Sequence, residues 1–514
     1  MQLGAVIFVA VPWLNPFSAG PTPAVVSLLF SWTCAAVVYG IGLRTGCRSI
    51  FSKTAAAAWL MAALVSAWVG LLQYFGATVA FGSWISSTDV GTAFANLRQR
   101  NQFATLTNMG LAALLWWMEM DKSTPGYSPN GTVKAQWSWR FIAPLAAVLL
   151  LAAGNAASSS RTGLVQLVML VIMRSIWARS AYGDAQRGMR NVMGAGVLTY
   201  GIAAMGLPVL AGLDLHATGI LARMHDGDSI CSSRLTLWSN VLHLIAQKPW
   251  LGWGWGELDY AHFITLYPGD RFCGILDNAH NLPLHLAVEL GVPLALVFCG
   301  LCGWLVLRAQ PWREMHPTRQ MAWSVLALIG LHSLLEYPLW FGPFQVAVVL
   351  CVGLLWLTPA VLAGDEQSLP ASAYQAREDA IQPMKVGPRA RAFIAWLAML
   401  LLAFCAFVAW EYWRVSQIYL APAARAPAYR DHTLEKIRDT WLFQDQVRFA
   451  ELTTTPLTPH NAPQMLDLAK ALLHFSPEPL VVQKLIDSAA LLGRQDEAQF
   501  YQERFNAAFR QAPR

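Results

Sequence analysis

Apolar windows long enough to cross a bilayer recur along almost the whole of this chain, near 3–17, 24–42, 55–75, 101–120, 141–155, 162–178, 191–212, 284–307, 320–336, 343–362 and 392–413. A hydrocarbon core about 30 Å thick needs roughly 20 apolar residues in an α-helix, the one open-ended structure that satisfies its own backbone in lipid. The pattern predicts an all-α, polytopic membrane protein with about 11 (11–12) transmembrane helices, the windows 3–17 and 141–155 being the shortest. The charged fraction of 13% agrees, since a soluble globule carries about a quarter. The N-terminal window lacks a basic leading segment and a small-x-small cleavage site, so it reads as a retained first span.

The connections between windows alternate in charge. One set holds Arg44, Arg48 and Lys53; Lys122, Lys134 and Arg140; Arg174, Arg179, Arg187 and Arg190; Arg308, Arg313 and Arg319; and Arg377, Lys385, Arg389 and Arg391. Excess Lys and Arg marks cytoplasmic loops, which puts the N-terminus inside and the long loop 213–283 and the tail after Trp413 outside. The net charge of +6 therefore reports topology, and no recognition helix or zinc-finger spacing points to nucleic acid. Gly364 to Pro388 reads as a flexible linker. From about Thr433 the chain turns amphipathic, with Leu466, Ala469, Leu472 and Leu473, then Leu485, Ile486, Ala489 and Leu492, at helical spacing. That pattern is similar to one tetratricopeptide hairpin, so two domains are expected: a membrane domain 1–413 that includes loop 213–283, and a soluble helical region 414–514.

Arg98, Arg100, Arg161, Arg223, Arg234 and Arg271 fall on the outer side, against the charge bias. Headgroup pairing accounts for some of them, and an anion site is the sharper reading. They accompany five polar outer-face segments: Arg98 to Gln102, Ser158 to Gly163, Ser233 to Gly256, Asp277 to Asn281, and His332 to Trp340. Cys231 and Cys273 share the long loop and either pair or stay free, whereas Cys299 and Cys302 lie in an apolar window, where packing is the expected role. Asp226-Gly227-Asp228 reads as a turn rather than a metal signature.

The Arg161 segment SSSRTG, the run PWLGWGWG at 249–256, DNAHN at 277–281 and HSLLEYPLW at 332–340, in that order, resemble the superfamily of O-antigen ligases and PglL-type protein O-oligosaccharyltransferases. Arg100-Asn101-Gln102 and the appended tail lean toward the protein-glycosylating branch. The resemblance implies a GT-C-like enzyme of the bacterial inner membrane, with its site facing the periplasm. It implies en bloc transfer of a glycan from undecaprenyl pyrophosphate to Ser/Thr hydroxyls of exported proteins such as pilins; no cofactor is expected, and no metal, because arginines can supply the leaving-group charge a cation would otherwise supply. An O-antigen ligase or polymerase, acting on a sugar hydroxyl, is the nearest alternative, and a transporter of lipid-linked sugars is the more distant one.

Departure of a pyrophosphate calls for guanidinium forks on its oxygens, for which Arg161 and Arg234 come first and Arg100 and Arg271 next. The acceptor hydroxyl needs a base, and a neutral imidazole at His280 suits that task, with Asn281 or Asp277 to orient it. The plainer role for His280 is to anchor the end of the loop. Gln102 and Tyr337 match positions that the resembled family uses at its active site, and each is equally readable as a polar residue at a helix interface. His332 and Glu336, four apart, share a helix face, so an internal ion pair rivals any catalytic role for them, and His285 is expected to be structural. The Trp/Gly run suits a tight turn with aromatic anchoring at the interface.

Overall fold

The computed structural model describes the whole chain except residues 1, 18–19, 46–47, 121–138, 179–183, 216–217, 226–229, 362–386 and 510–514. Lys122, Lys134, Arg179, the Asp226-Gly227-Asp228 turn and nearly all of the 364–388 linker lie outside the described residues. The α-helices run α1 Gln2–Leu14, α2 Pro23–Thr45, α3 Arg48–Tyr74, α4 Arg100–Met120, α5 Trp139–Ala157, α6 Arg161–Ala178 and α7 Asp184–Leu210. The long loop contributes α8 Gly219–His225, α9 Arg234–Gln247 and α10 Leu258–Ile264. There follow α11 Leu282–Leu290, α12 Val292–Ala309, α13 Pro317–Ser333, α14 Gly342–Leu357 and α15 Pro388–Ser416. The tail holds α16 Thr433–Ile437, α17 Gln444–Thr454, α18 Ala462–Leu473, α19 Pro479–Leu491 and α20 Gln495–Phe509, and no sheet forms among the described residues.

Among the described residues, five helical segments are long and apolar enough to cross a membrane: Phe51–Tyr74, Arg161–Ala178, Gly188–Leu210, Val292–Arg313 and Arg391–Tyr419. Leu3–Leu14, Ala24–Gly40, Ile142–Ala157 and Gly342–Leu357 are apolar but shorter. Burial sorts them. Trp304, Leu305 and Leu307 on α12 and Phe393, Trp396 and Phe404 on α15 face outward, as side chains solvated by lipid do, while α3 is the most enclosed of the five long segments. On α3, Ala55, Ala58, Ala62, Ala63 and Ala67 are fully buried. A Cβ on Gly110 of α4 would stand 2.3 Å from that of Ala63, and one on Gly154 of α5 would stand 2.7 Å from that of Ala67. Small residues at these crossings let backbones meet, which is how helices associate where lipid supplies no hydrophobic drive.

Helices α4 and α13 bury polar side chains instead of reaching high hydropathy. Asn108 Nδ2 donates to Gly163 O (3.0 Å), Asn155 Nδ2 to Asn108 Oδ1 (3.1 Å) and Gln166 Nε2 to Leu328 O (2.9 Å), while Thr105 Oγ1 meets His332 Nδ1 at 2.9 Å. Each buried polar atom needs a partner, so these bonds fix the register of α4, α5, α6 and α13 against one another. Helix α13 stops at Ser333, short of the expected 336, and this leaves Glu336 in the turn beyond it. Cys299 and Cys302 sit on the outward-facing α12 with Cys302 exposed, so core packing is not its role.

The glycine run forms the expected turn. Gly252 (φ 70°) and Gly291 (φ 87°) are left-handed, and a Cβ would stand 2.3 Å from Glu289 O at the first and 2.1 Å from Trp250 O at the second. Only glycine lets that turn press its backbone onto the α11–α12 junction. In the tail, α18 and α19 pair through Leu466, Ala469, Leu472, Leu473, Leu485 and Ala489, and Gly493 (φ 72°) turns the chain into α20. The pair packs on α10: the Tyr260 and His474 rings stack 3.9 Å apart, His474 Nδ1 lies 2.7 Å from Glu257 Oε2, and Arg504 Nε donates to Ile264 O (2.9 Å).

Candidate active site

Three helices begin at one cavity, and each begins with an arginine: Arg100 on α4, Arg161 on α6 and Arg234 on α9. A cation at a helix N-terminus opposes the macrodipole, at roughly 0.3–1 kcal/mol each. Three such placements converging on one space are a cost that an anion would repay, because helix N-termini and guanidinium groups both favour negative charge. Local chemistry makes the helix starts. Ser233 Oγ caps α9 by accepting from Thr236 N (3.1 Å), and Ser160 Oγ accepts from Gly163 N (3.0 Å) at the head of α6. The cavity measures about 550 Å³, and Arg98 and Arg223 line it as well, against the carboxylates of Asp89 and Glu336.

His280 lines the same cavity. Its φ of 50° is left-handed, which L residues adopt reluctantly. The Asn278 side chain holds that conformation by accepting from His280 N at 2.9 Å. His280 Nδ1 lies 2.6 Å from Glu336 Oε2, and the Tyr337 ring meets the imidazole edge-on at 5.0 Å. A carboxylate accepting from Nδ1–H assigns the tautomer, and Nε2 is left with its lone pair. The other oxygen of Glu336 accepts from Arg234 Nη2 and from Asn101 Nδ2 (3.0 Å), and Asn101 Oδ1 in turn accepts from Ser160 Oγ (2.6 Å). Burial raises the pKa of the Glu336 carboxyl, but the hydrogen bond and charge of His280 and the Arg234 guanidinium outweigh it, so Glu336 is held below the usual carboxylate value.

Of the residues expected from sequence, His280, Arg161, Arg234 and Arg100 meet at the cavity, with Arg100 Nη2 donating to Thr92 Oγ1 (3.0 Å). Tyr337 stands beside the imidazole, and Asn281 caps α11 through Leu284 N (3.1 Å) while donating to Leu334 O (3.0 Å). Gln102 is buried behind the lining. Arg271 is placed elsewhere: its Nη1 and Nη2 donate to Thr265 O and His262 O, both at 2.8 Å, and so brace the loop. Burial and the Arg271 charge push His262 down to about 3, so its neutral ring serves as a fixed link between the Tyr267 hydroxyl and Phe272 O. Neither Asn281 nor Asp277 hydrogen-bonds the imidazole, which Glu336 holds instead. Of the two readings of His332 and Glu336, the internal ion pair does not form: His332 meets Thr105 and Glu336 meets His280, and the helix ends between the two residues. His285 pairs with Glu289 one turn along α11, a structural role.

Cys231 and Cys273 form a disulfide, and their neighbours Ser232 and Phe272 line the cavity. Removing it with Cys231→Ser and Cys273→Ser is expected to cost on the order of 4 kcal/mol for a separation of 42 residues, by loop entropy in the unfolded chain. Thermal unfolding checks this, and an unchanged midpoint would show that the loop is held by other contacts alone.

Comparison with known proteins bears on the same residues. Residues 93–118 match the family described as protein glycosylation ligase, 146–299 match O-antigen ligase, and 320–514 match virulence factor membrane-bound polymerase, C-terminal. Over these stretches the chain is similar to the superfamily of O-antigen ligases and protein glycosylation ligases. The three matched stretches of this superfamily carry, in turn, Arg100; Arg161, Arg234 and His280; and Glu336. A general O-oligosaccharyltransferase of Acinetobacter baylyi is 26% identical over 278 residues, 51% of this chain and 43% of that protein. A ComP-specific O-oligosaccharyltransferase of the same organism is 23% identical over 263 residues, 51% of this chain and 44% of that protein. The matches thus span less than half the length of those relatives. No solved structure matches.

Proposed function

We propose that this protein is an O-oligosaccharyltransferase of the bacterial inner membrane, moving a glycan en bloc from undecaprenyl pyrophosphate to Ser/Thr hydroxyls of periplasmic, pilin-like proteins. The supporting observation is the meeting of three arginine-headed helices with a carboxylate-held imidazole in one cavity. His280 Nε2 takes the proton of the acceptor hydroxyl as its oxygen bonds to the anomeric carbon. The bond from that carbon to the pyrophosphate oxygen breaks, and the lipid pyrophosphate leaves with the electron pair, its charge met by Arg161, Arg234 and Arg100. The proton then passes to solvent. In this reading about eleven helices span the membrane, residues 1–413 form the catalytic domain, and the cavity and residues 414–514 face the periplasm.

The protein glycosylation ligase match favours a protein acceptor, whereas the O-antigen ligase and polymerase matches favour a sugar. Purified enzyme given lipid-linked glycan with either a pilin or lipid A core decides between them. Glycan on the pilin is expected, and glycan only on the core would move the assignment to ligase.

The α18–α20 helices pack on α10, between the disulfide-bearing loop and solvent, and are proposed to guide a folded acceptor. Deleting residues 433–514 is expected to depress transfer to folded protein at least tenfold more than transfer to a short peptide. Equal losses per mole of inserted enzyme would reduce these helices to a cap.

A further inference from the structure

Glu336 touches both halves of the chemistry proposed above. Its side chain is 8% exposed; Oε2 takes His280 Nδ1, and Oε1 takes Arg234 Nη2 together with Asn101, which reaches on to Ser160 beside Arg161. No other carboxylate among the described residues holds both an imidazole and a guanidinium of the cavity. We propose that Glu336 is a positioning residue whose charge is shared differently between two partners it holds throughout: it restrains Arg234 while His280 is neutral and is drawn toward His280 once that ring carries the acceptor's proton.

The physics is charge balance at short range. With a neutral imidazole, the carboxylate's full charge offsets the Arg234 guanidinium, so part of the field meant for phosphate is quenched at rest. When the acceptor's proton arrives on Nε2, the imidazolium becomes the second cation on the same carboxylate and draws its charge. The field of Arg234 is then directed at the pyrophosphate as the glycosidic bond breaks and negative charge grows there. Glu336 forms and breaks no covalent bond and keeps its ionisation throughout. An interaction that strengthens only as the transition state forms raises turnover without tightening the resting complex. Asn101 keeps the carboxylate in place as its charge is drawn toward His280, since it bonds the oxygen that Arg234 shares.

This inference rests on the transferase reading and carries a signature that a fold-holding residue would not. A negative charge beside Arg234 weakens binding of an anionic donor and speeds its departure, so removing the charge should move affinity and turnover in opposite directions. In full-length Glu336→Gln enzyme, undecaprenyl pyrophosphate is expected to bind about tenfold more tightly, while single-turnover transfer from lipid-linked glycan falls about a hundredfold. Glu336→Asp keeps the charge but is one methylene too short to reach both partners, so donor affinity should stay near wild type and transfer should fall about tenfold. Weaker donor binding in Glu336→Gln, or unimpaired transfer in either variant, overturns the proposal. If Glu336→Gln does not accumulate, Glu336→Asp decides alone, and a parallel loss of its affinity and turnover overturns the proposal. Failure of the wild-type protein to bind undecaprenyl pyrophosphate at all would instead sink the transferase reading.

Discussion

Replacing His280 with alanine is expected to lower transfer by roughly 10³-fold, within the range for loss of a positioned base, while the protein still inserts and accumulates. The backbone at His280 sets the choice of control. With φ at 50°, the residue occupies a conformation that asparagine tolerates better than most side chains. His280→Asn therefore removes the imidazole without adding backbone strain, and Asn278 still caps the same N–H. Both variants should keep the wild-type thermal midpoint to within a few degrees, since the ring makes one partly buried hydrogen bond and an edge contact with Tyr337. Single-turnover transfer with a saturating donor is the measurement. If His280→Asn retains near wild-type turnover, the imidazole is no base, and its bond to Glu336 serves only to pin the loop end.

The residues of this cavity were unequally legible. Arg100, Arg161 and Arg234 stand out in sequence because they oppose the charge asymmetry that sorts the remaining loops, and that anomaly survives without knowledge of any contact. His280 announces itself by falling just ahead of an apolar window. Glu336 was left between two readings for a definite reason: the i,i+4 rule joins it to His332 only if the helix continues, and α13 ends at Ser333. Proline at 338 is a signal for that end, since it disfavours helix in the residue before it, yet it does not say which way the freed carboxylate turns. Arg271 was indistinguishable from its neighbours because outward arginines look alike until the carbonyls of His262 and Thr265 are seen to take it. The apolar helices were readable wherever they face outward, as in α12 and α15, because exposed apolar composition there stands out in the sequence. The windows 101–120 and 320–336 also give α4 and α13, but the buried polar network of these two helices was not readable, because it depends on partners far away in sequence.

Arg161→Ala is expected to separate function from fold by the sign of its two effects. As the first residue of α6, Arg161 places positive charge at the positive end of a helix dipole, so its removal should leave stability unchanged or raise it by a few tenths of a kcal/mol. Transfer should nevertheless fall about 10²- to 10³-fold, the usual loss when one preorganised donor to a developing anion is deleted. Arg161→Lys tests the form of the contact. An ammonium restores the charge but not the planar fork, so transfer should recover only partly, remaining at least tenfold below wild type, with donor affinity closer to wild type than turnover. A headgroup-anchoring arginine behaves otherwise, because lysine serves a lipid phosphate nearly as well and alanine would lower insertion instead of turnover. Wild-type transfer by both variants would assign Arg161 to that anchoring role and leave Arg234 and Arg100 to carry the anion.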